Sequence, residues 1–260
     1  MHGRCSNSVT DAILNGRFKV KAFKKTFDLQ TMSEKLKLRW DGHACFEISG
    51  SRTIIVDPFL EGNPKATRKK EDVRADIVVV THGHEDHVGD ALYIAKKNNA
   101  PIVTMVELAW LLKEKDNSLE IHDINYSGSV SIGKVKITAV PAYHSSSYGG
   151  KYAGNPGGMI IEMDGRVLYH AGDTGIFMDM ELIGRMYHPE VAMLPIGGHY
   201  TMSPKEAAMA VGMIKPQLAI PMHFSTFPPI EQNPEEFKKE VEANSAGKVK
   251  IMSIDQTIEV

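Results

Sequence analysis

The sequence predicts a mixed α/β fold, and three observations carry that expectation. The β-branched run Ile77-Val-Val-Val80 has the length and composition of a buried strand. Segments with helical spacing follow such runs: residues 91–95 after this one, and 106–112 after the apolar stretch 101–104. Asp164-Gly165, set between the apolar segments 159–163 and 166–169, is the turn signal of a hairpin. Strand and helix alternating in this way suit sheet layers covered by helices.

Taken in order, the chain opens unlike the rest. Residues 1–31 hold Arg4, Arg17, Lys19, Lys21, Lys24 and Lys25 against Asp11 and Asp28, without the apolar core of a secretory signal. They read as a weakly ordered upstream extension ahead of Met32, with an organellar targeting segment as the alternative. Segments 36–40, 44–48 and 53–56 then read as successive strands, separated by Asp41-Gly42 and Ser49-Gly50-Ser51. Asp57-Pro58 closes the third, because proline has no N–H for a ladder. His43 lies at the first turn. It reads either as a turn histidine bonded to backbone or as a group behind a reactive site or against substrate.

Residues 61–75, with Arg68, Lys69, Lys70 and Arg74, read as a solvated linker, a basic rim for anionic substrates being the alternative. His122 has no neighbouring ligand types and reads as an ordinary strand or loop residue. Residues 135–140 alternate and end at Pro141, so His144 leaves a strand exit. The segment 145–158 is rich in Ser, Gly, Tyr and Pro and lacks periodicity. It is a candidate lid or recognition loop, or a set of turns, with Tyr148, Lys151 and Tyr152 its chemically useful members. A strand at 191–194 leads to His199, and Ser203-Pro204 with Glu206 opens a helix running to Ile214. A last internal strand, 217–220, delivers His223, while the helix 235–242 and strand segments within 249–260 show no chemistry.

The chemistry concentrates in THGHEDHVGD, residues 81–90, which follows the strand 77–80. His82, His84, Asp86 and His87 fall within six residues, a density that leaves imidazoles and carboxylates crowded unless a cation sits among them. H-x-H-x-D-H is far more specific than a pair of histidines on a polar loop, and it reads as a metal site. His144, Asp173 and His223 add three strand-end ligand types. Seven such residues exceed one tetrahedral ion and suit two ions sharing a carboxylate, for which Asp173, with two oxygens, is the candidate. His170 is either a further ligand or a residue behind them. Asp57, at a strand end, is placed to orient a ligand histidine through its other ring nitrogen. Histidine–carboxylate sites of this kind take zinc, manganese or iron.

Composition narrows the partners. The formal charge of the 260 residues is −2, which gives no broad field for nucleic acid. Cys5 and Cys45 are far apart without metal-type spacing, so a reducing, cytoplasmic setting is expected. No apolar run approaches the ~20 residues that span a bilayer, and no membrane partner is expected.

H-x-H-x-D-H after a hydrophobic strand resembles the signature of the metallo-β-lactamase superfamily. Further landmarks are Pro141-Ala-Tyr-His144, His170-Ala-Gly-Asp173-Thr-Gly175, Pro195-Ile-Gly-Gly-His199-Tyr-Thr-Met202 and Pro221-Met-His223-Phe. They are similar to the branch holding L-ascorbate-6-phosphate lactonase and a group of short metal-dependent hydrolases. The resemblance runs from about Leu36 to the C-terminus, making residues 32–260 one metallo-hydrolase domain. It implies a four-layer αββα sandwich with the metals at one edge. It further implies His82, His84 and His144 on one ion, Asp86, His87 and His223 on the other, and Asp173 between them. A hydroxide held by both ions would be the nucleophile, with Asp86 as proton acceptor. His43 belongs to a G-H-A element found in the same branch, and His199 marks a position where some relatives carry an acidic or amide residue, hence a substrate-preference candidate. The expected substrate is a small lactone, ester or phosphoester, and relatives in that branch form homo-oligomers. A nuclease is the second reading. A di-iron redox enzyme is the third, disfavoured because such proteins carry Glu where this chain has His84, and an appended flavin domain.

Overall fold

The computed structural model describes residues 35–245 and 247–260, and the readings made for residues 1–31 lie outside the described residues. Strands β1 (Lys37–Gly42), β2 (Cys45–Ser49), β3 (Thr53–Val56) and β4 (Ile77–Val79) lie side by side in chain order. A one-turn helix α1 (Glu85–Val88) and helix α2 (Ala91–Asn98) lead to β5 (Ile102–Met105), and helix α3 (Val106–Lys115) leads to β6 (Ile121–Ile124). Pairing is antiparallel from β1 to β3 and parallel from β3 to β6, the crossovers being carried by the long segment 57–76 and then by the helices.

The chain then builds a second sheet from β7 (Ser129–Ile132) and β8 (Val135–Pro141). A two-strand ribbon of β9 (Ser147–Tyr148) and β10 (Lys151–Tyr152) interrupts it before β11 (Gly157–Met163) and β12 (Arg166–His170). Helix α4 (Met180–Tyr187), β13 (Val191–Pro195), helix α5 (Pro204–Ile214), β14 (Leu218–Met222), helix α6 (Pro234–Asn244) and β15 (Lys248–Val249) complete it. Its order is β15-β14-β13-β12-β11-β8-β7, while β16 (Thr257–Glu259) returns to pair with β1 of the first sheet. Each sheet is thus half antiparallel and half parallel.

The two sheets pack face to face. Leu38, Phe46, Ile54 and Val79 of the first interlock with Ile137, Met159, Ile161, Met193 and Ile220 of the second in one buried core. Val78 and Ile102 turn outward onto Ile94 of α2 and Leu108 and Leu112 of α3. Ile160, Ala192 and Ala219 turn outward onto Ile183 of α4, Val211 of α5 and Phe237 of α6. This is the αββα sandwich that the sequence resemblance implies, and strands buried on both faces explain why 77–80 reads as continuous Val and Ile. No helix among the described residues is long and apolar enough to cross a membrane.

Several local details depart from the sequence reading. β7 carries only Val130 and Ile132 as apolar residues and is half exposed at a sheet edge, so its pattern is faint. α4 contains Gly184, which lowers helix propensity, yet glycine is needed there: a Cβ would lie 2.3 Å from the Ile214 carbonyl oxygen of α5. In the basic stretch 61–75, Lys69 and Arg74 are exposed, but two cations turn to carboxylates. Arg68 turns inward to Asp41 at 3.1 Å and Glu47 at 2.7 Å, and Lys70 reaches Asp90 at 3.4 Å. At α5 the expected start is a full capping box, Ser203 Oγ accepting the Glu206 N–H and Glu206 Oε2 accepting the Ser203 N–H.

Two helical glycines give a paired prediction. Gly184→Ala forces backbone apart and should cost about 1–3 kcal/mol. Gly212→Ala, in α5 with nothing within 4 Å of the new Cβ, should gain about 0.5–1 kcal/mol. Urea denaturation of both variants checks this, and equal effects of one sign would contradict the packing.

Candidate metal centre

Every strand that contributes to the site does so at its C-terminal end. β3 delivers Asp57, β4 delivers residues 81–87, β8 delivers His144, β12 delivers His170 and Asp173, and β14 delivers His223. His43 enters from the turn between β1 and β2. Both sheets therefore supply side chains to one place.

The loop after β4 is held before it turns. The Asp57 carboxylate accepts the Thr81 N–H at 2.8 Å, the Thr81 hydroxyl at 2.7 Å and the His87 Nδ1–H at 2.8 Å. Gly83 is required by proximity rather than by a left-handed turn: its Cβ would sit 2.6 Å from Ala153 Cβ, and its N–H donates to Ser146 Oγ at 3.0 Å. His84 caps α1, whose single turn presents Asp86 and His87. Gly89 ends that turn at φ +40°, where a Cβ would lie 2.5 Å from the Pro58 carbonyl oxygen. His43, Asp57 and His223 also take positive φ (55°, 46° and 54°), conformations uncommon for residues other than glycine.

Two groups of ligand atoms result, each with its atoms within 4.8 Å of one another: His82, His84, His144 and Asp173 in one, and His43, Asp86, His87 and His223 in the other. His82 Nε2 and His84 Nδ1 are 2.9 Å apart. Asp173 Oδ2 reaches across the groups, lying 3.5 Å from His144 Nε2, 3.4 Å from His87 Nε2 and 3.1 Å from His223 Nε2. Despite this closeness His87 Nε2, both His223 ring nitrogens and Asp173 Oδ1 are buried and make no hydrogen bond. Atoms that converge without bonding one another, at a cost that burial makes large, fit a cation between them. Outer partners fix the rings meanwhile: Thr81 Oγ1 on His82 Nδ1 at 3.0 Å, and Asp57 on His87 Nδ1.

Electrostatics divides the histidines. Burial, with the His87 ring beside it, holds His82 well below the usual imidazole range, and burial likewise lowers His84 and His144. His43 falls to about 4 through burial and the His223 ring. For His87 and His223 burial acts downward too, but the Asp173 carboxylate outweighs it, raising His87 well above the ordinary value and His223 to about 9. Asp173 is held far below the carboxylate range: burial raises it, and His223 and His87 more than compensate. Asp86 is also lowered, burial being overcome by the nearby His223 ring and the hydrogen bond with His43.

The remaining sequence candidates fall elsewhere. Both His170 nitrogens are engaged, Nε2 donating to the Ala44 carbonyl at 2.9 Å and Nδ1 accepting the Gly172 N–H at 3.2 Å, so it is not free to ligate. Lys151 is exposed and paired with Glu114 of α3 at 2.6 Å. Tyr148 is half-buried, its ring under the Lys115 ammonium at 6.0 Å. His199 is exposed and packs on Tyr200, outside both groups. The sequence reading missed Thr81, Ser146 and Thr226, whose hydroxyls hold the loop and rings; no local pattern marks them.

Comparison with known proteins agrees with this geometry. Residues 37–223 match the family described as the Beta-lactamase superfamily domain. A UPF0173 metal-dependent hydrolase of Thermococcus onnurineus is 52% identical over 205 residues, covering 78% of this chain and 91% of that protein. One from Pelotomaculum thermopropionicum is 46% identical over 230 residues, 86% of this chain and all of its own length. Among solved structures, Igni18, a metallo hydrolase from Ignicoccus hospitalis, superposes with a TM-score of 0.80 at 38% identity, covering 87% of this chain and 99% of its own.

In the metal-free protein the histidine shifts carry a pH signature. The native state refuses a proton at His43 that the unfolded chain accepts below its ordinary 6.5, so stability falls as pH drops from 6.5 toward 4. It keeps a proton at His223 that the unfolded chain releases, so stability also falls as pH rises from 6.5 toward 9. NMR titration of the imidazoles should find His43 near 4 and His223 near 9, with Asp173→Asn pulling His223 down; both titrating near 6.5 would contradict the arrangement.

Proposed function

Because this chain belongs to the UPF0173 metal-dependent hydrolases of the β-lactamase superfamily, we propose that it hydrolyses a small lactone, ester or phosphoester using two divalent metal ions. The observation that carries this is the set of buried, partnerless atoms on His87, His223 and Asp173, lying where two ligand groups meet. His82, His84 and His144 would hold one ion, Asp86, His87 and His223 the other, with Asp173 reaching both. Zinc and manganese suit these nitrogen and carboxylate donors best, and iron is the third choice. When bound, such ions acidify water near neutral pH and polarise a carbonyl or phosphoryl oxygen.

The protein's own groups supply the rest. Asp86 is about one-third exposed (32%), its Oδ2 is tied to His43, and Oδ1 makes no hydrogen bond among the described residues. Oδ1 is therefore the atom to accept a proton as water adds and to return it to the departing alkoxide. Asp57 and Thr81 keep the His82 and His87 rings turned inward throughout. The segment carrying β9 and β10 lies against Gly83 through Ser146, which suits it to line the substrate's approach. A nuclease is less favoured, since Arg68 and Lys70 of the linker are spent on Asp41, Glu47 and Asp90 and the formal charge of −2 gives no broad basic field. A reducing, cytoplasmic setting is the reading that two cysteines far apart in the sequence support.

Protein reconstituted in turn with zinc and manganese should hydrolyse at least one of a phosphodiester reporter and a lactone or carboxylic-ester reporter. Chelation, His82→Ala or Asp173→Ala should each bring turnover to background, and the two variants should also carry less metal. Full activity in metal-stripped protein would contradict the proposal.

A further inference from the structure

The ligand assignment above leaves one of the eight converging side chains without a task. We propose that His43, backed by Thr226, is a positioning residue that sets the affinity of the second metal position by holding Asp86 and His223. This rests on the two-metal reading just given.

His43 grips both residues. Its Nε2 lies 3.0 Å from Asp86 Oδ2, its ring centroid is 3.9 Å from that of His223, and its carbonyl accepts the His223 N–H at 2.9 Å. The Trp40 indole N–H donates to the same carbonyl at 3.0 Å, anchoring the turn. His43 therefore links a helix turn of the first sheet to the exit of β14 in the second, which chain connectivity alone leaves independent. It does so from a left-handed backbone conformation, φ +55°, uncommon for residues other than glycine.

The hydrogen bonds identify its role as holding rather than ligating. An ionised carboxylate only accepts, so the 3.0 Å contact requires the ring proton on Nε2. Nδ1 is then an acceptor, and the Thr226 hydroxyl, 2.9 Å away and with no other hydrogen bond among the described residues, donates to it. The opposite tautomer would face two lone pairs across 3.0 Å. Phe59 and Phe227 wall the ring edge-on, both at 5.7 Å, and offer no competing polar partner. Partners of this kind behind metal ligands typically change affinity by roughly 10–100-fold when removed.

The test is calorimetric titration of metal-free protein with zinc. Wild type should bind two equivalents. His43→Ala should weaken the second by roughly 10–100-fold and leave the first unchanged. Thr226→Val should weaken the second in the same direction by less, and it keeps the test available if His43→Ala does not fold. His43→Gln, whose amide can donate near the former Nε2 position, should restore part of the loss. An unchanged second affinity in His43→Ala and Thr226→Val, with two equivalents in wild type, overturns this proposal alone. A loss in His43→Ala that Gln does not restore and Thr226→Val does not share makes His43 a ligand, and also overturns it. Fewer than two equivalents in wild type overturns the two-metal reading and this one with it.

Discussion

Asp173 is a carboxylate almost wholly withdrawn from water, 3% exposed, set among imidazoles from both sheets. An isolated buried charge of this kind is costly, and only compensating positive charge makes it tolerable. In the metal-free protein that charge must come from protons on His87 and His223, which is why their affinity for protons is raised while the rings of the other group stay neutral. The same geometry gives divalent cations a prepared place, since they can displace those protons and serve every converging lone pair at once. Burial of Asp173 thus organises both the electrostatics and the chemistry.

The fold is the means of assembling that centre. Parallel strands end on the same edge, so each sheet can send several loops to one place without long excursions. The sandwich core of Ile, Val, Leu and Met behind them fixes the strand ends, and the uncommon backbone conformations of His43, Asp57 and His223 are held by that core. Asp57 ties β3 to the loop after β4, and His43 ties the first sheet to β14. These two cross-links hold the two ligand groups in register.

Much of this was legible in the sequence, for identifiable reasons. His82, His84, Asp86 and His87 fall within six residues, and a spacing this dense in metal-ligand types points to a cation. His144, Asp173 and His223 each follow a clean apolar strand, so their common edge could be anticipated from strand polarity. Contacts made only by long-range closure were not legible. Thr226 meets His43 across 183 positions, and nothing in Phe-Ser-Thr-Phe distinguishes that hydroxyl from any other. Lys151 looked chemically useful beside a candidate lid, but Glu114 on α3 claims it. Gly83 belongs with these long-range contacts, since Ala153 is what excludes a side chain there. In the fold, β7 was missed because an exposed edge strand carries a weak periodic signal, whereas α4 was missed although Met180, Ile183 and Gly184 form a clear buried face.

The most direct measurement is anomalous diffraction from crystals of the manganese- or zinc-reconstituted protein, collected on both sides of the metal absorption edge. The account predicts two peaks per chain flanking Asp173, one among His82, His84 and His144 and the other among Asp86, His87 and His223. A single peak, or metal bound elsewhere with these side chains left unliganded, would contradict it.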